Sequence, residues 1–461
     1  MLSHLVTDAP GAVPITPVTS DGLESRMASL DERARAWLRA TGFTAEAGKW
    51  TLLPDAAGGL ARVLVGVGSG DELWALAALP DNLPEGAYRI DPEPEPVLAT
   101  RMALGWALGC YAFTRYKPRK RGFAHLLWPH GADRGLVERL ARGIGLARDL
   151  INTPAEDLGP VELAGAVEDL AARNATPCRL ISGDALLAEN YPLIHAVGRA
   201  SARAPALADL TWGDAGAPKL TLVGKGVCFD SGGLDLKPAS GMRMMKKDMG
   251  GAATLIGLAS AVMEANLPVR LRLLVPAVEN AVSANAFRPL DVIRSRKGIT
   301  VEIGNTDAEG RLILADALAE ADTEAPALLV DMATLTGAAR TALGPELPAL
   351  FCNDEPLAGE LLRAAEAEQD PLWRLPLWAP YRKLLKSGIA DINNVSESAF
   401  AGAITAAVFL QEFVGKATPW AHIDTYAWNA TSRPGRPEGG EALALRALYR
   451  LVAERFGPRR V

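Results

Sequence analysis

From about residue 155 onward, short continuous apolar runs alternate with longer segments of helical periodicity. This alternation constrains the fold more than any other feature. It predicts strands at 219–224 (KLTLVG), 269–275 (VRLRLLV), 299–304, 326–332 (PALLVDM) and 419–424 (PWAHID). It predicts helices at 249–264, 311–322, 355–368 and 402–414. The strand runs are apolar throughout instead of alternating, so both of their faces should be buried. An α/β sandwich around a mixed, mostly parallel sheet follows. In open sheets of this kind, sites form at the carboxyl ends of strands.

A chain of 461 residues is too long for one core and suggests two domains. Residues 1–135 mix strand-like runs (RVLVGVG, 62–68; FAHLLWP, 123–129) with a helical one (LATRMALGWALGCYAF, 98–113). They read as a small N-terminal α/β domain. GVGSG at 66–70 falls short of GxGxxG and reads as a strand-to-helix turn, not a nucleotide site. In 136–154, Leu136, Val137, Leu140, Ile144, Leu146 and Leu150 keep helical spacing. Asp133 can cap that helix and Pro154 stops it. It would link the small domain to a larger one over 155–461.

Several function classes lose ground on composition. The net charge is −6, so no strong overall field draws the chain to nucleic acid or an acidic membrane. The first Lys or Arg is Arg26, and the N-terminal stretch lacks the apolar core of a secretory signal. No apolar run is long enough to span a bilayer. The four cysteines (Cys110, Cys178, Cys228, Cys352) are far apart, which suits reduced thiols in a cytosol better than a disulfide framework. RYKPRKRG (115–122) carries five Lys/Arg and could touch nucleic acid, although such runs are usually solvated loops.

Two segments carry the chemistry: VGKGVCFDSGGLDLKPASGMRMMKKDMGGAA (223–253) and NTDAEGRL (305–312). In the second, Gly310 and the Asn-Thr-Asp turn chemistry favour an extended backbone. Asp307, Glu309 and Arg311 would then share one face. The bland alternative is an i,i+4 Asp–Arg surface pair worth a few tenths of a kcal/mol. In the first segment, Lys225 lies in a Gly-flanked turn after a strand, Asp230 precedes a Ser-Gly-Gly turn, Lys237 lies in a loop, and Asp248 precedes a small-residue helix. Asp248 could simply be the helix N-cap. Taken together, three Asp, one Glu, two Lys and one Arg gather at turns beside apolar elements.

Several buried carboxylates do not stay ionised side by side without cations, and divalent metals would resolve the conflict. The five histidines (His4, His125, His130, His195, His422) show no zinc-ligand spacing. Carboxylates sharing two ions are the better option. Oxygen-rich ligation suits Mn²⁺ or Mg²⁺, and an amine ligand tilts it towards Zn²⁺ or Mn²⁺. Asp-Ser-Gly-Gly at 230–233 raises a rival, Ser231 as a serine-protease nucleophile. That chemistry needs a partnered histidine, which the sequence does not offer in a recognisable setting.

VGKGVCFDSGG, LKP, MKKDMGGAA and NTDAEGRLILADAL resemble the leucyl (cytosol) aminopeptidases. ARDLINTPAEDLGP, ATLTGAARTALG, ADINNV, AGAITAAVFLQEFV and PWAHIDTYAW extend the resemblance from about 147 to the C-terminus. The resemblance implies that 155–461 is a catalytic metallopeptidase domain. It implies two divalent ions per subunit (Zn²⁺ and/or Mn²⁺) held by Lys225, Asp230, Asp248, Asp307 and Glu309, with Asp230 and Glu309 bridging. A water between the ions would attack the first peptide bond, Lys237 would stabilise the oxyanion, and Arg311 would hold a bicarbonate ion. The substrate's free α-amino group would sit near Asp248. Met245, Thr334 and Gly337 would line an uncharged pocket preferring apolar, Leu- or Met-like first residues. It further implies peptide substrates, a cytoplasmic homohexamer and no membrane. The alternative is a DNA-binding or scaffolding protein of the same fold with dispensable peptidase activity.

Overall fold

The computed structural model describes residues 1–68 and 73–457, so the end of the 66–70 stretch lies outside the described residues. The chain forms two compact α/β units. One comprises Met1–Gly145 with Ala430–Glu438, the other Leu146–Asn429 with the chain from Gly439 onward.

The first unit is built on β1 (Leu5–Val6), β2 (Val13–Val18), β3 (Trp50–Pro54), β4 (Leu60–Gly66), β5 (Ala87–Ile90) and β6 (His125–Leu127). Their order is β1-β6-β5-β2-β4-β3. Every pairing is parallel except β3 with β4. The Pro96–Gly109 helix buries Met102 and Trp106. In the basic run, Arg119 pairs with Asp81 at 2.6 Å and lies over the Phe123 ring. Arg121 donates to the Asp81 and Leu83 carbonyls. Arg115 lies over the Tyr116 ring, so three of the five cations are engaged within their own unit. The Arg134–Asn152 helix starts at the expected cap, where Leu136 N donates to Asp133 Oδ1 at 2.9 Å.

The second unit contains β7 (Cys178–Ser182), β8 (Ala206–Trp212), β9 (Lys219–Gly224), β10 (Gly226–Asp230), β11 (Arg270–Asn280), β12 (Val292–Arg294), β13 (Thr300–Glu302), β14 (Leu328–Ala333), β15 (Ala349–Cys352), β16 (Trp373–Arg374), β17 (Ile392–Asn393) and β18 (Trp420–Asp424). The main sheet runs β16-β15-β18-β14-β9-β11-β8-β7, with β10 also on β11. It is mixed and mostly parallel; β15/β18, β11/β8 and β8/β7 are antiparallel. Val223, Leu274, Leu312, Leu329, Phe409 and Trp420 share the core. Each fully buried side chain of this kind contributes about 1.5–3 kcal/mol. The Gly250–Glu264 helix is buried from Gly250 to Met263, which its small residues permit.

Two details differ from expectation. The run at 299–304 pairs only over Thr300–Glu302, and with β12 and β17 in a separate small sheet. Val301 and Ile303 are apolar because they pack on the core, not because the strand is central. The run at 269–275 extends to Asn280 through Pro276. Pro276 sits where parallel pairing passes from β9 (up to Leu274) to β10 (from Ala277). A missing N–H is tolerated at that handover.

This handover creates the site's foundation. Lys225 is the single residue between β9 and β10. Parallel strands β9, β10, β11, β14 and β18 end at Gly224, Asp230, Asn280, Ala333 and Asp424. The polar residues cluster at those carboxyl ends. Among the described residues, no helix is long and apolar enough to cross a membrane.

Candidate metal centre

Four carboxylates face two lysines here. Lys225 Nζ lies 2.8 Å from Asp248 Oδ2 and 3.0 Å from Glu309 Oε1, and donates to the Thr334 carbonyl at 2.9 Å. Lys237 Nζ lies 2.8 Å from Asp230 Oδ2 and also pairs with Asp307 Oδ1. Asp230, Asp248 and Glu309 are buried, while Asp307 stands at the open side.

Local structure differs from the extended reading of NTDAEGRL. Glu309 opens the Glu309–Asp322 helix, and Arg311 lies in its first turn. The chain turns helical because the 304–308 turn is capped elsewhere. Asn394 Oδ1 accepts from the Gly304 and Asn305 amides, and its Nδ2 donates to the Asn305 carbonyl. Gly310 serves close approach, not extension. A Cβ there would lie 2.4 Å from Lys225 Cε. The helix N-terminus also favours the Glu309 carboxylate. Asp307 and Arg311 form no ion pair, so the surface-pair reading fails. Nor is Asp248 an N-cap. It ends the Met245–Lys247 turn, and the following helix is preceded by Met249.

Further hydrogen bonds hold these carboxylates in place. Asp230 Oδ1 accepts from Gly232 N at 2.8 Å and Asn280 Nδ2 at 2.9 Å. Asn280 Nδ2 also reaches the Thr306 carbonyl. Thr306 and Asp235 bond reciprocally, tying the loop after β10 to the turn before Glu309. Thr334 Oγ1 donates to Asp248 Oδ1 at 2.7 Å. Asp424 holds the Thr334 loop by accepting from the Leu335 amide and the Thr336 hydroxyl. Asn280, Thr306, Asn394 and Asp424 escaped the sequence reading because an isolated Asn, Thr or Asp carries no spacing signal. Asn394 and Asp424 do fall in ADINNV and PWAHIDTYAW.

Ser231 shapes the turn: its hydroxyl donates to the Asn280 carbonyl at 2.7 Å. Met245, Thr334 and Gly337 line the same pocket as Lys225, Asp230, Lys237, Asp248, Asp307 and Glu309. Its cavity is about 470 Å³, and Lys247, Arg340 and Tyr426 also line it. Arg311 is buried beside Glu309 in sequence. Its Nη1 donates to the Asn394 carbonyl at 2.6 Å, while its Nε has no hydrogen bond.

The donor set fits divalent cations. Oxygen atoms of Asp230, Asp307 and Glu309 lie within 4.8 Å of one another. Glu309 Oε2 is buried without a hydrogen-bond partner, an acceptor left for a cation. Two lysines do not neutralise four carboxylates, and the mismatch shows in their titration. Burial, with the Glu309 charge adding to it, pushes Asp230 up to about 7. Burial also pushes Asp248 up to about 7, although Lys225 opposes the shift. Burial opposes the charge on Lys225, but Asp248, Glu309 and Asp230 outweigh it and raise its pKa. Burial lowers Arg311 to about 10, with Glu309 and Asp424 opposing.

A pH dependence follows. Between the usual carboxylate range and about pH 7, the folded metal-free chain keeps protons on Asp230 and Asp248 that the unfolded chain has released. Their contribution to stability is therefore present at low pH and declines as pH rises through that window. In chelator, the thermal midpoint should fall between pH 5 and 8, and the fall should shrink in Asp248→Asn. An equal fall in that variant would place the origin elsewhere.

Comparison with known proteins shows the family to which such a chain belongs. Residues 145–449 match the cytosol aminopeptidase family catalytic domain, and 13–129 match the M17 aminopeptidase N-terminal domain. A crystal structure of a cytosol aminopeptidase from Coxiella burnetii is 49% identical, with a TM-score of 0.95. The match covers 98% of this chain and 100% of that one. The probable cytosol aminopeptidase of Syntrophotalea carbinolica is 44% identical over 76% of this chain and 74% of its own length. The bottromycin maturation enzyme BotP, solved in complex with Mn, is 34% identical with a TM-score of 0.86. It covers 95% of this chain and 98% of its own. None of these names a DNA-binding or scaffolding role, and that alternative is not favoured. The chain belongs to the cytosol aminopeptidase family and is an aminopeptidase, a hydrolase of peptide bonds.

Proposed function

We propose that the chain is a two-metal exopeptidase that releases single N-terminal residues, preferably apolar ones, from peptides. The observation that carries this reading is the convergence of four carboxylates on two lysines, with Glu309 Oε2 buried and unpartnered. Lys225, Asp230, Asp248, Asp307 and Glu309 would hold two divalent ions, Zn²⁺ and/or Mn²⁺, with Asp230 and Glu309 shared. When bound, such ions polarise a carbonyl and supply an activated water. The related enzyme solved with Mn supports the manganese option.

The protein's own groups then divide the work. Lys225 has to give up its proton to ligate, so loading should release protons. Lys237 offers a cation at the open side of the centre, where an oxyanion develops. The substrate's free α-amino group would sit near Asp248, which would restrict cleavage to the first residue. Met245, Thr334 and Gly337 present an uncharged wall to that residue's side chain. The Arg311 guanidinium, with a buried and unbonded Nε, would grip a bicarbonate ion, which supplies a proton carrier. A cytoplasmic homohexamer is proposed on the resemblance. Exposed Ile389 and Phe400 are the kind of surface that assembly covers.

The test is leucine-amide hydrolysis by the full-length protein. Turnover should vanish in chelator and return with Mn²⁺ or Zn²⁺. Turnover that survives complete metal removal would sink the two-metal reading.

A further inference from the structure

A second cavity, of about 550 Å³, lies in the larger unit and shares no lining residue with the pocket of the metal centre. It is formed by the 183–184 turn, the end of the Pro192–Gly198 helix with the chain after it, and the loop that follows β11. Two arginines line it. Arg199 Nε donates to the Asn285 carbonyl at 2.8 Å. Arg288 Nε lies 3.4 Å from Asp291 Oδ1, and its amide donates to Asp291 Oδ2 at 3.0 Å. Both guanidiniums are thus tethered at the Nε edge. Their Nη nitrogens donate no hydrogen bond among the described residues.

One carboxylate lines the same cavity. Asp184 stands at the N-cap position of the short Ala185–Ala188 helix, but its side chain does not cap that helix. Its Oδ1 is braced by His195 Nε2 at 3.1 Å, and the side chain is 97% exposed. The arginines suit a planar carboxylate, which guanidinium N–H groups grip in pairs. A plain anion such as phosphate would also meet the like charge of Asp184, which counts against it. A ligand that offers a carboxylate to the arginines and an ammonium to Asp184 meets both. That ligand is an α-amino acid in its zwitterionic form. The rest of the wall is alanine and proline, Ala202, Ala204, Pro205 and Ala286 among them, which leaves an apolar space for a side chain.

We propose that this cavity is a binding site for free aliphatic α-amino acids, separate from the metal centre. Arg199 and Arg288 hold the carboxylate, and Asp184 holds the ammonium. Free amino acids are what an aminopeptidase releases, so the site is placed to read the enzyme's own product. One strand end joins it to the metal centre. Ser201 lines the cavity, and its hydroxyl donates to Glu279 Oε2 at 2.5 Å. The next residue, Asn280, donates to Asp230 Oδ1 at 2.9 Å.

Leucine can also enter the catalytic pocket, so that pocket is blocked first. Leucine hydroxamate chelates metal and carries no carboxylate for the arginines. With Mn²⁺-loaded full-length protein saturated in it, labelled leucine should still bind once per chain by equilibrium dialysis. N-acetyl-leucine, which lacks the ammonium, leucinamide, which lacks the carboxylate, and inorganic phosphate should each compete about tenfold or more less well than leucine. Arg199→Ala, Arg288→Ala and Asp184→Asn should each weaken leucine binding by about tenfold. Both arginines are exposed, so their loss does not threaten the fold. In leucine-free buffer, leucine-amide turnover in these variants should stay within about twofold of wild type. No leucine bound beside the hydroxamate, or binding that the arginine variants leave unmoved, overturns the proposal. Competition by N-acetyl-leucine or phosphate equal to that of leucine would make the cavity a plain anion site and overturn its assignment to amino acids.

Discussion

Glu309→Gln is expected to cut kcat at least about a thousandfold, roughly 4 kcal/mol of barrier, and to lower metal content below two ions per chain. Glu309 opens its helix with one oxygen on Lys225 and the other buried without a partner. An amide keeps the shape but removes the charge. It also places N–H donors where a cation is to be held. Burial opposes the Glu309 charge, but Lys225 and Lys237 outweigh it and lower its pKa. Neutralising the group should therefore lower the thermal midpoint in chelator somewhat, while the apolar core keeps the chain folded. Bound Mn²⁺ should raise the wild-type midpoint by mass action, about 2.7 kcal/mol of stability at a hundredfold excess over Kd. That rise should disappear in the variant. Metal analysis that still finds two ions per chain would show that Glu309 is not a ligand.

Such a prediction could be made from sequence only because the proposed ligands are packed into two short segments. Lys225, Asp230, Lys237 and Asp248 fall within one stretch, and Asp307 and Glu309 within another. The apolar runs that bring them together were legible for the same reason. β9, β14 and β18 lie close to their expected positions, because buried central strands have a strong composition signal. β7, β8 and β15 were not legible. β7 lies at the sheet edge with exposed Arg179 and Leu180, so little of its pattern reports burial. The extended reading of 305–311 failed on a single glycine. Gly310 reads as a turn residue locally, but it is glycine because Lys225 crosses it. Long-range contact, not local propensity, chose the residue.

Lys237→Ala separates metal holding from chemistry. Lys237 Nζ pairs with Asp230 and Asp307, so it can act as their counter-charge. Once divalent ions satisfy those carboxylates, the same ammonium is free to face a developing oxyanion. Removing it should therefore leave two ions per chain and lower kcat by roughly a hundred- to a thousandfold. KM should change little, because the interaction is made mainly in the transition state. In chelator the variant should melt at a lower temperature than the wild type, since two carboxylates lose their cation. With Mn²⁺ bound, that gap should narrow. The two roles thus leave opposite marks. A counter-charge role alone predicts lost stability without lost turnover in the loaded enzyme. An oxyanion role predicts lost turnover with metal intact. Loss of metal together with activity would make Lys237 part of the holding set and remove its assignment to the transition state.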